Sequence, residues 1–336
     1  MIQPGPLNLI TDVDGIKVGN AEDTQAWTGV TVVIPDESVV AAVDVRGGGP
    51  GTRETDVLGS TSAVDRIDAI ALSGGSAFGL EAATGVVNWM AGQGRGFQVG
   101  AVRVPIVPSA IIFDLLNGGD KSWGDQPPYR DLARQACGNL GREFALGNVG
   151  AGFGATAGSL KGGLGSVSSL TSDGAQIGAL VAANPYGAAA MPGSDVLWAW
   201  PWEHNNEFGG KRPHHDAAPV DPDYPFETPR GGAAANTTLG IVATNVALDK
   251  AQAQRVAIMA QDGISRAIRP VHTPFDGDTI FVISTGTKKL PNPASPMIGR
   301  LGMMAADCVA RAIGRAVYAA EGLGAFPGYR GTIAGK

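Results

Sequence analysis

Runs of β-branched residues in the first half of the chain predict short strands separated by turns. The runs at 29–35 and 38–45 flank Pro-Asp-Glu, a turn signal that predicts a hairpin. The run at 68–73 predicts a further strand, and the apolar stripe through 76–91 predicts a helix. The remaining elements predicted for this half are an extended run at 102–113, a helix at 129–144, and strands at 164–170 and 176–183.

The last hundred residues show a clearer pattern, which predicts strand–helix–strand–helix. The first strand covers 237–244 and the second covers 279–284. Asp249 is followed three residues later by Gln252, a capping-box pattern that predicts the start of a helix between these strands. Ser295-Pro296 predicts the start of the last helix, because proline is favoured in the first helical turn.

The segment 194–235 lies between these two parts and follows neither the helical nor the strand period. It carries three of the four histidines in the chain, together with several prolines and tryptophans. A stretch of about forty residues without regular structure is long for a compact domain. We therefore expect a functional or flexible surface segment here.

Composition narrows the class of protein. The chain has 336 residues and a net charge of −6 without any run of Lys or Arg, so nucleic-acid and anionic-membrane partners are not expected. Cys137 and Cys308 form no CxxC pair or Cys/His cluster, so we expect two buried thiols and no metal site. The first twenty residues do not form a signal peptide, and no window is apolar enough for a membrane span. The expected location is the cytoplasm.

The junction Asn236-Thr237-Thr238 is the first candidate site, because a glycine- and alanine-rich stretch changes there to a strand. It allows three interpretations: a glycosylation sequon, which a chain without a secretory signal does not use, an ordinary loop-to-strand junction, or a self-cleavage site. In the third case the Thr237 hydroxyl attacks the preceding carbonyl. The freed α-amine, with a pKa of about 7.7–8.0, can then serve as the base for the same hydroxyl.

A second candidate is the pair Asp276 and Asp278, which flank Gly277 in the sequence HTPFDGDT. Carboxylates at i and i+2 face the same side of an extended chain and can orient a hydroxyl or an amine. The alternative is a turn before the next strand, since Asp-Gly is a common turn pair. A calcium loop is not expected, because the downstream ligands are missing.

Other polar residues in glycine-rich surroundings are further candidates. Lys161 lies in GAGFGATAGSLKGGLGS, which lacks the order of a phosphate-binding loop, and Asn184 precedes a proline at a strand end. Asn184 can donate to an oxyanion or simply form a turn. The arginine- and glycine-rich stretch 46–56 is consistent with an ion-pair knot, and 73–81 with a tight strand-to-helix turn. Only His272 lies near a candidate motif, which disfavours a Ser-His-Asp hydrolase.

Taken together, six stretches resemble the L-aminopeptidase/D-esterase family of N-terminal-nucleophile hydrolases, which includes β-peptidyl aminopeptidases and 6-aminohexanoate-oligomer (nylon-oligomer) hydrolases. The stretches are VDVRGGGPGTRETD (43–56), LSGGSAFGLEAATGV (72–86), GAGFGATAGSLKGGLGS (150–166), ANPYG (183–187), NTTLGIVATN (236–245) and RPVHTPFDGDTIFVISTG (269–286). They run in order through nearly the whole chain, but the segment 194–235 is not part of the resemblance.

The resemblance implies an α+β fold, an αββα-type sandwich that is self-cleaved into two chains. The large chain would be 1–236 and the small chain 237–336, both parts of one domain. It also implies that these heterodimers assemble as a homo-oligomer, with a tetramer expected. No cofactor or metal is implied.

Carried over by position, the resemblance makes Thr237 the nucleophile and Asn236 the residue before the cut. Asn184 corresponds to the family's oxyanion-side asparagine. Lys161 corresponds to a lysine near the nucleophile, whose positive charge would keep the pKa of the α-amine low. Phe113, in AIIFDL, stands where some members place a tyrosine hydroxyl near the oxyanion, so this hydroxyl donor is missing, and Phe113 is expected to line the substrate site.

The acidic pair distinguishes branches of this family. Asp276 and Asp278 match the pair of the nylon-oligomer hydrolases, where the aminopeptidase branch carries Ser and Glu, whereas RGGGPGTRETD is typical of the broader peptidase group. We expect the pair to orient the amine and hydroxyl of Thr237. The sequence thus predicts an amide hydrolase for short peptides, β-peptides or linear 6-aminohexanoate oligomers. An acyltransferase on the same scaffold and a non-catalytic protein that keeps the fold are the alternatives.

Overall fold

The computed structural model describes residues 2–214 and 236–333, which form fifteen strands and five α-helices. The strands are β1 (Ile2–Gln3), β2 (Ile16–Asp23), β3 (Thr28–Pro35), β4 (Val40–Val45), β5 (Thr52–Arg53), β6 (Ile70–Ser73), β7 (Phe97–Val99), β8 (Val102–Val104), β9 (Ser109–Ile111), β10 (Thr156–Ala157), β11 (Leu160–Lys161), β12 (Gly163–Thr171), β13 (Gln176–Asn184), β14 (Thr237–Val246) and β15 (Thr279–Lys288). The helices are α1 (Glu81–Gly92), α2 (Tyr129–Gly138), α3 (Lys250–Ala267), α4 (Ser295–Ala319) and α5 (Tyr329–Ile333).

Eleven of these strands form two large sheets. The six-stranded sheet has the order β1-β12-β13-β14-β15-β4, and only the pairing of β14 with β15 is parallel. The five-stranded sheet has the order β2-β3-β6-β9-β5, and only β6 and β9 pair in parallel. The pairs β7–β8 and β10–β11 form two small sheets of their own.

Three apolar clusters stack these elements into four layers. Strand β14 is buried along its whole length, and its side chains alternate between two of the clusters. Leu239 and Ile241 face the five-stranded sheet, whereas Val242 and Val246 pack against α3 and α4. The third cluster joins the other face of the five-stranded sheet to α1 and α2. The order helix–sheet–sheet–helix is the αββα arrangement that the resemblance implies.

The C-terminal elements agree with the sequence pattern. The Asp249 side chain accepts the Gln252 N–H at 2.8 Å, and the Gln252 side chain accepts the Asp249 N–H at 3.0 Å, so the capping box is confirmed. The order strand–helix–strand–helix also holds for β14, α3, β15 and α4. The parallel pairing of β14 with β15 follows from this order, because α3 is a crossover that returns the chain to the end of the sheet where β14 begins.

The predicted hairpin at 29–45 is wrong. Both runs are strands, but β3 lies in the five-stranded sheet and β4 lies in the six-stranded sheet. Both edges of β3 are occupied by β2 and β6, so β4 has no edge of β3 to pair with and instead pairs with β15. The turn after Pro35 therefore carries the chain from one layer to the next.

Two helices are shorter than the sequence predicts. The predicted helix at 76–91 begins as a 3-10 turn over Ser76–Leu80, and α2 ends at Gly138. Both cysteines are buried, as expected. No helix within 2–214 and 236–333 has the length and apolar character needed to cross a membrane.

The irregular segment that begins at residue 194 is anchored over the part that the structure describes. Glu207 forms an ion pair with Arg311 of α4, Oε1 to Nε at 2.6 Å, and the Arg311 side chain is fully buried. Three arginine guanidinium groups stack on tryptophan rings of this segment, at Trp198, Trp200 and Trp202. Residues 215–235 of the expected flexible segment lie outside the described residues.

Candidate active site

The peptide bond between Asn236 and Thr237 lies where β14 begins, between two neighbouring segments. On one side Thr237 is paired with Asn184, the last residue of antiparallel β13. On the other side Asn236 forms a parallel bridge with Asp276. Residues directly opposite each other in an antiparallel ladder project to the same face, so Asn184 and Thr237 share a face. Thr237 is buried, with 2% of its surface exposed.

The carbonyl group of Asn236 is held by hydrogen bonds at this junction. The Gly277 N–H donates to the Asn236 oxygen at 2.9 Å, and the Thr237 hydroxyl donates to the same oxygen. Space here is tight, because a Cβ at Gly277 would lie 2.7 Å from Thr237 Oγ1. The threonine hydroxyl is thus packed against the carbonyl group of the residue that precedes it.

Asp276 lies next to this junction and is fixed by three donors. Its Oδ1 accepts the Tyr186 N–H at 3.0 Å. Its Oδ2 accepts the Thr273 N–H at 2.9 Å and the Thr273 hydroxyl at 2.6 Å. Burial raises the pKa of the Asp276 carboxyl, and the negative charge of Asp278 raises it further. The charge of one acid therefore disfavours ionisation of the other.

Asp278 is fixed in the same manner on the other side of Gly277. Its Oδ1 accepts the Thr238 N–H at 2.7 Å. Its Oδ2 accepts the backbone N–H of His272 at 3.2 Å and lies 2.8 Å from Nδ1 of the His272 ring. The simple turn interpretation does not account for these contacts. An asparagine side chain has only one acceptor oxygen, so it would turn its NH₂ group toward an N–H donor.

The acidic pair does not make the contacts expected of it in the uncut chain. Asp278 accepts the Thr238 N–H, whereas Asp276 accepts donors of Tyr186 and Thr273, and the Thr237 hydroxyl bonds to the Asn236 oxygen instead. Asp278 therefore orients the backbone directly after Thr237, and Asp276 fixes its own loop to Tyr186. The physical reason is that all four carboxylate oxygens already accept hydrogen bonds from other donors.

The glycine-rich loop at 46–49 holds this acidic loop through its backbone. The Arg46 N–H donates to the Asp278 carbonyl oxygen at 2.9 Å, and the Gly49 N–H donates to the Asp276 carbonyl oxygen at 2.8 Å. A Cβ at Gly47 would lie 2.3 Å from the Asp276 oxygen, so only glycine fits. Sequence analysis missed this role, since it depends on contacts between distant parts of the chain.

The expected ion-pair cluster within 46–56, a fully described stretch, does not form. The Arg46 side chain pairs with Asp44, which lies outside this stretch, Nε to Oδ2 at 2.6 Å. Arg53 donates to the Thr84 hydroxyl at 2.6 Å and to the Leu80 carbonyl oxygen at 3.3 Å. Arg53 therefore fixes this stretch to the beginning of α1.

Asn184 joins the Thr237 side of the site to Phe113. Its Nδ2 donates to the Phe113 carbonyl oxygen at 3.1 Å, and its Oδ1 accepts the Thr156 N–H at 2.8 Å. The side chain of Asn184 is thus fixed in place on the face that it shares with Thr237. The Phe113 side chain is half-buried and has no hydroxyl group to offer.

Lys161 is paired with Thr156 across β10–β11 and is buried, with 1% exposed. Its Nζ donates to the carbonyl oxygens of Gly152 at 3.2 Å and Gly162 at 2.9 Å. Burial lowers the pKa of Lys161 to about 7, although the charge of buried Asp114 opposes this shift. The resemblance implies a positive charge at this position. At neutral pH, however, this amine is present in both the charged and the neutral form.

An aromatic pair lies beside the site and was not found from the sequence. Tyr186 and Phe275 pack against each other with ring centroids 5.2 Å apart. Both belong to the segments that flank the junction, since the Tyr186 N–H binds Asp276 and the Phe275 oxygen accepts the Asn236 N–H at 3.3 Å.

Within the described part of the chain, no group of three or more His, Cys, Asp or Glu side chains is placed to hold a metal ion.

Comparison with known proteins adds family and fold relationships. The sequence model of peptidase family S58 matches residues 8–330. An uncharacterized aminopeptidase of Mycobacterium tuberculosis (strain ATCC 25618 / H37Rv) is 40% identical over 98% of this chain and 99% of its own length. A 6-aminohexanoate-oligomer endohydrolase of Paenarthrobacter ureafaciens is 28% identical over 88% of this chain and 79% of its own length.

Two solved structures share the fold. The L-aminopeptidase D-Ala-esterase/amidase from Ochrobactrum anthropi, described as a variant of the Ntn-hydrolase fold, has a TM-score of 0.69 at 23% identity and covers 95% of this chain and 88% of its own. A β-aminopeptidase from a Burkholderia species has a TM-score of 0.70 at 23% identity and covers 96% of this chain and 90% of its own.

The buried amine of Lys161 predicts a specific dependence of stability on pH. Its pKa is lowered from 10.5 to about 7 on folding, so between these values the unfolded chain binds more protons than the folded chain. The cost of burying the amine is absent above pH 10.5, grows as the pH falls and is complete below about pH 7. Lys161→Met should therefore gain stability over the parent as the pH falls from 9.5 to 7.

Urea unfolding of both proteins across this range measures the difference. Both proteins also carry Thr237→Ala, which removes the hydroxyl expected to cleave the chain, so that the two are compared as uncut chains. A difference in unfolding free energy that stays constant from pH 6 to pH 9.5 would show that the Lys161 amine keeps its ordinary pKa in the folded chain.

Proposed function

This chain belongs to peptidase family S58, and we propose that it is a self-processing hydrolase whose nucleophile is the N-terminal threonine of its small chain. It is an amide-bond hydrolase. Processing at Asn236–Thr237 would give a large chain, 1–236, and a small chain, 237–336, which remain associated through the central pair β13 and β14. We also propose that these heterodimers assemble further into a homo-oligomer.

The observation that carries the proposal is the contact of the Thr237 hydroxyl with the Asn236 carbonyl group, to which Gly277 also donates. Attack of Oγ1 on the carbonyl carbon gives a tetrahedral oxyanion, which the Gly277 N–H is placed to stabilise. Collapse breaks the peptide C–N bond, and the proton lost by the hydroxyl goes to the leaving nitrogen. Water then hydrolyses the ester, so that Asn236 ends in a carboxylate and Thr237 in a free amine.

Substrate turnover would repeat the same step at the same place. A substrate carbonyl takes the position of the Asn236 carbonyl, where the Gly277 N–H is again the donor, with Asn184 on the shared face. The Gly277 N–H supplies the hydrogen bond to the oxyanion that the Phe113 side chain, without a hydroxyl group, cannot supply. The α-amine of Thr237 accepts the hydroxyl proton and passes it to the leaving amine, and water releases the acyl group.

The proposed substrates are short peptides, β-peptides and linear 6-aminohexanoate oligomers. The relative at 40% identity is named an aminopeptidase and the one at 28% an oligomer endohydrolase, which favours short peptides as the first substrates to test. The aromatic pair Tyr186–Phe275 at the junction offers an apolar surface for a substrate side chain.

The purified protein should contain two fragments of about 24 and 10 kDa, in proportion to 236 and 100 of the 336 residues in a 34.2 kDa chain. Intact-mass measurement and N-terminal sequencing should find a small fragment that begins TTLGIVATN. Thr237→Ala should give a folded, uncut and inactive protein, because nucleophile and base are lost together. Thr237→Ser should still cleave. An uncut wild-type chain with full activity would contradict the proposal.

Gly277→Ala tests the packing at the junction. The added Cβ would lie 2.7 Å from Thr237 Oγ1, so either the hydroxyl or the donor at residue 277 must move. We expect cleavage and turnover to fall by about 10²-fold, the scale of a lost oxyanion donor. Gly299→Ala is the matched control, since a Cβ there meets nothing within 4 Å. Equal rates for the two variants would remove Gly277 from the site.

A further inference from the structure

We propose that His272 is a positioning residue for the threonine nucleophile, acting through Asp278; this inference rests on the proposed function. The His272 Nδ1 atom lies 2.8 Å from Asp278 Oδ2. The other oxygen of the same carboxylate accepts the Thr238 N–H at 2.7 Å. A chain of two contacts therefore links the imidazole to the backbone next to Thr237.

The backbone of His272 is held in an uncommon conformation that makes this contact. Its φ of +53° lies in the left-handed region, which is uncommon for residues other than glycine and is adopted most often among them by Asn, Asp and His. In this conformation the His272 N–H also points at Asp278 Oδ2, at 3.2 Å. Strained residues of this kind concentrate at functional sites, where surrounding contacts maintain them.

The environment of Asp278 makes the imidazole important. The Asp278 side chain is 1% exposed, whereas the His272 side chain is 23% exposed. Asp278 Oδ2 is contacted by both the backbone N–H and the imidazole of His272, so loss of the imidazole would leave this buried oxygen with only the longer bond, at 3.2 Å. The Nδ1 donor therefore completes the bonding that fixes the carboxylate plane, and with it the hydrogen bond to the Thr238 N–H.

Asp276 offers an internal comparison. Thr273 supplies its Oδ2 with one backbone N–H and one side-chain donor, as His272 does for Asp278. The opposite oxygen of Asp276 holds Tyr186, on the far side of the junction. The two adjacent residues 272 and 273 thus position the two acids separately, and only Asp278 holds the strand that starts with the nucleophile.

Substitutions that suit a left-handed backbone separate the side-chain contact from the backbone strain. Asn and Gly both adopt this conformation readily, but only Asn offers an N–H₂ donor near the Nδ1 position. We expect His272→Gly to lower kcat about tenfold or more, with little change in KM, and to slow the appearance of the two fragments. His272→Asn should stay within about threefold of wild type in both measurements.

A second variant covers the case in which His272→Gly does not fold. His272→Asp has nearly the shape of His272→Asn but offers only acceptors and a like charge to Asp278, so its kcat should fall at least as far. His204→Asn, which removes an imidazole in the segment after residue 194, should keep wild-type kcat. Thermal unfolding of each protein establishes that it is folded at the assay temperature.

Equal kcat for the wild type and for the folded Gly or Asp variant would overturn the proposal. So would an Asn variant as inactive as the Gly variant, because the imidazole would then act by something other than this donor. Failure of the proposed function is recognised separately, from an uncut wild type or an active Thr237→Ala protein, since neither result involves residue 272.

Discussion

The site depends on the position of one peptide bond, Asn236–Thr237, at the N-terminal end of the fully buried strand β14. Strand β14 has neighbours on both edges and apolar layers on both faces, so its first residue cannot shift without disturbing the six-stranded sheet. The ladder fixes Asn184 on one side of the junction and the 276–278 loop on the other. The proposed nucleophile is therefore placed by the core of the protein, and the Gly277 donor is placed by the 276–278 loop that bonds to the residue before it.

The charged groups around this bond are placed by backbone donors. The N–H groups of residues 46 and 49 donate to the backbone carbonyl oxygens of the 276–278 loop, and the N–H groups of residues 272 and 273 donate to its carboxylates. Lys161 is paired with Thr156, which donates to Asn184, and the Lys161 amine donates to backbone carbonyl oxygens. Because burial lowers the pKa of this amine to about 7, the site is able to take up or release a proton near neutral pH. Rigidly placed donors are what the proposed threonine nucleophile would need for stabilisation of an oxyanion.

The sequence predicts the elements of the fold better than their partners. The capping box at Asp249 and the C-terminal strands depend on local residues, and they were found. The predicted hairpin at 29–45 was wrong because strand pairing depends on which strand edges are free. The hydrophobic pattern of a sequence does not contain this information. The candidate residues at the site were found from the local sequence, and the resemblance assigned their roles. The donors at Gly277 and His272 were missed because their role arises from tertiary contacts, although the proximity of His272 to the acidic motif was a usable signal.

The most direct test of the account is the location of the acyl group during turnover. The protein would be mixed with a slowly hydrolysed amino-acid ester or amide, quenched in acid within one turnover, and its fragments examined by mass spectrometry. The account predicts that the fragment of about 10 kDa gains the mass of the acyl group and that peptide mapping places it on Thr237. An acyl group on any other residue, or on an uncut chain, would contradict it.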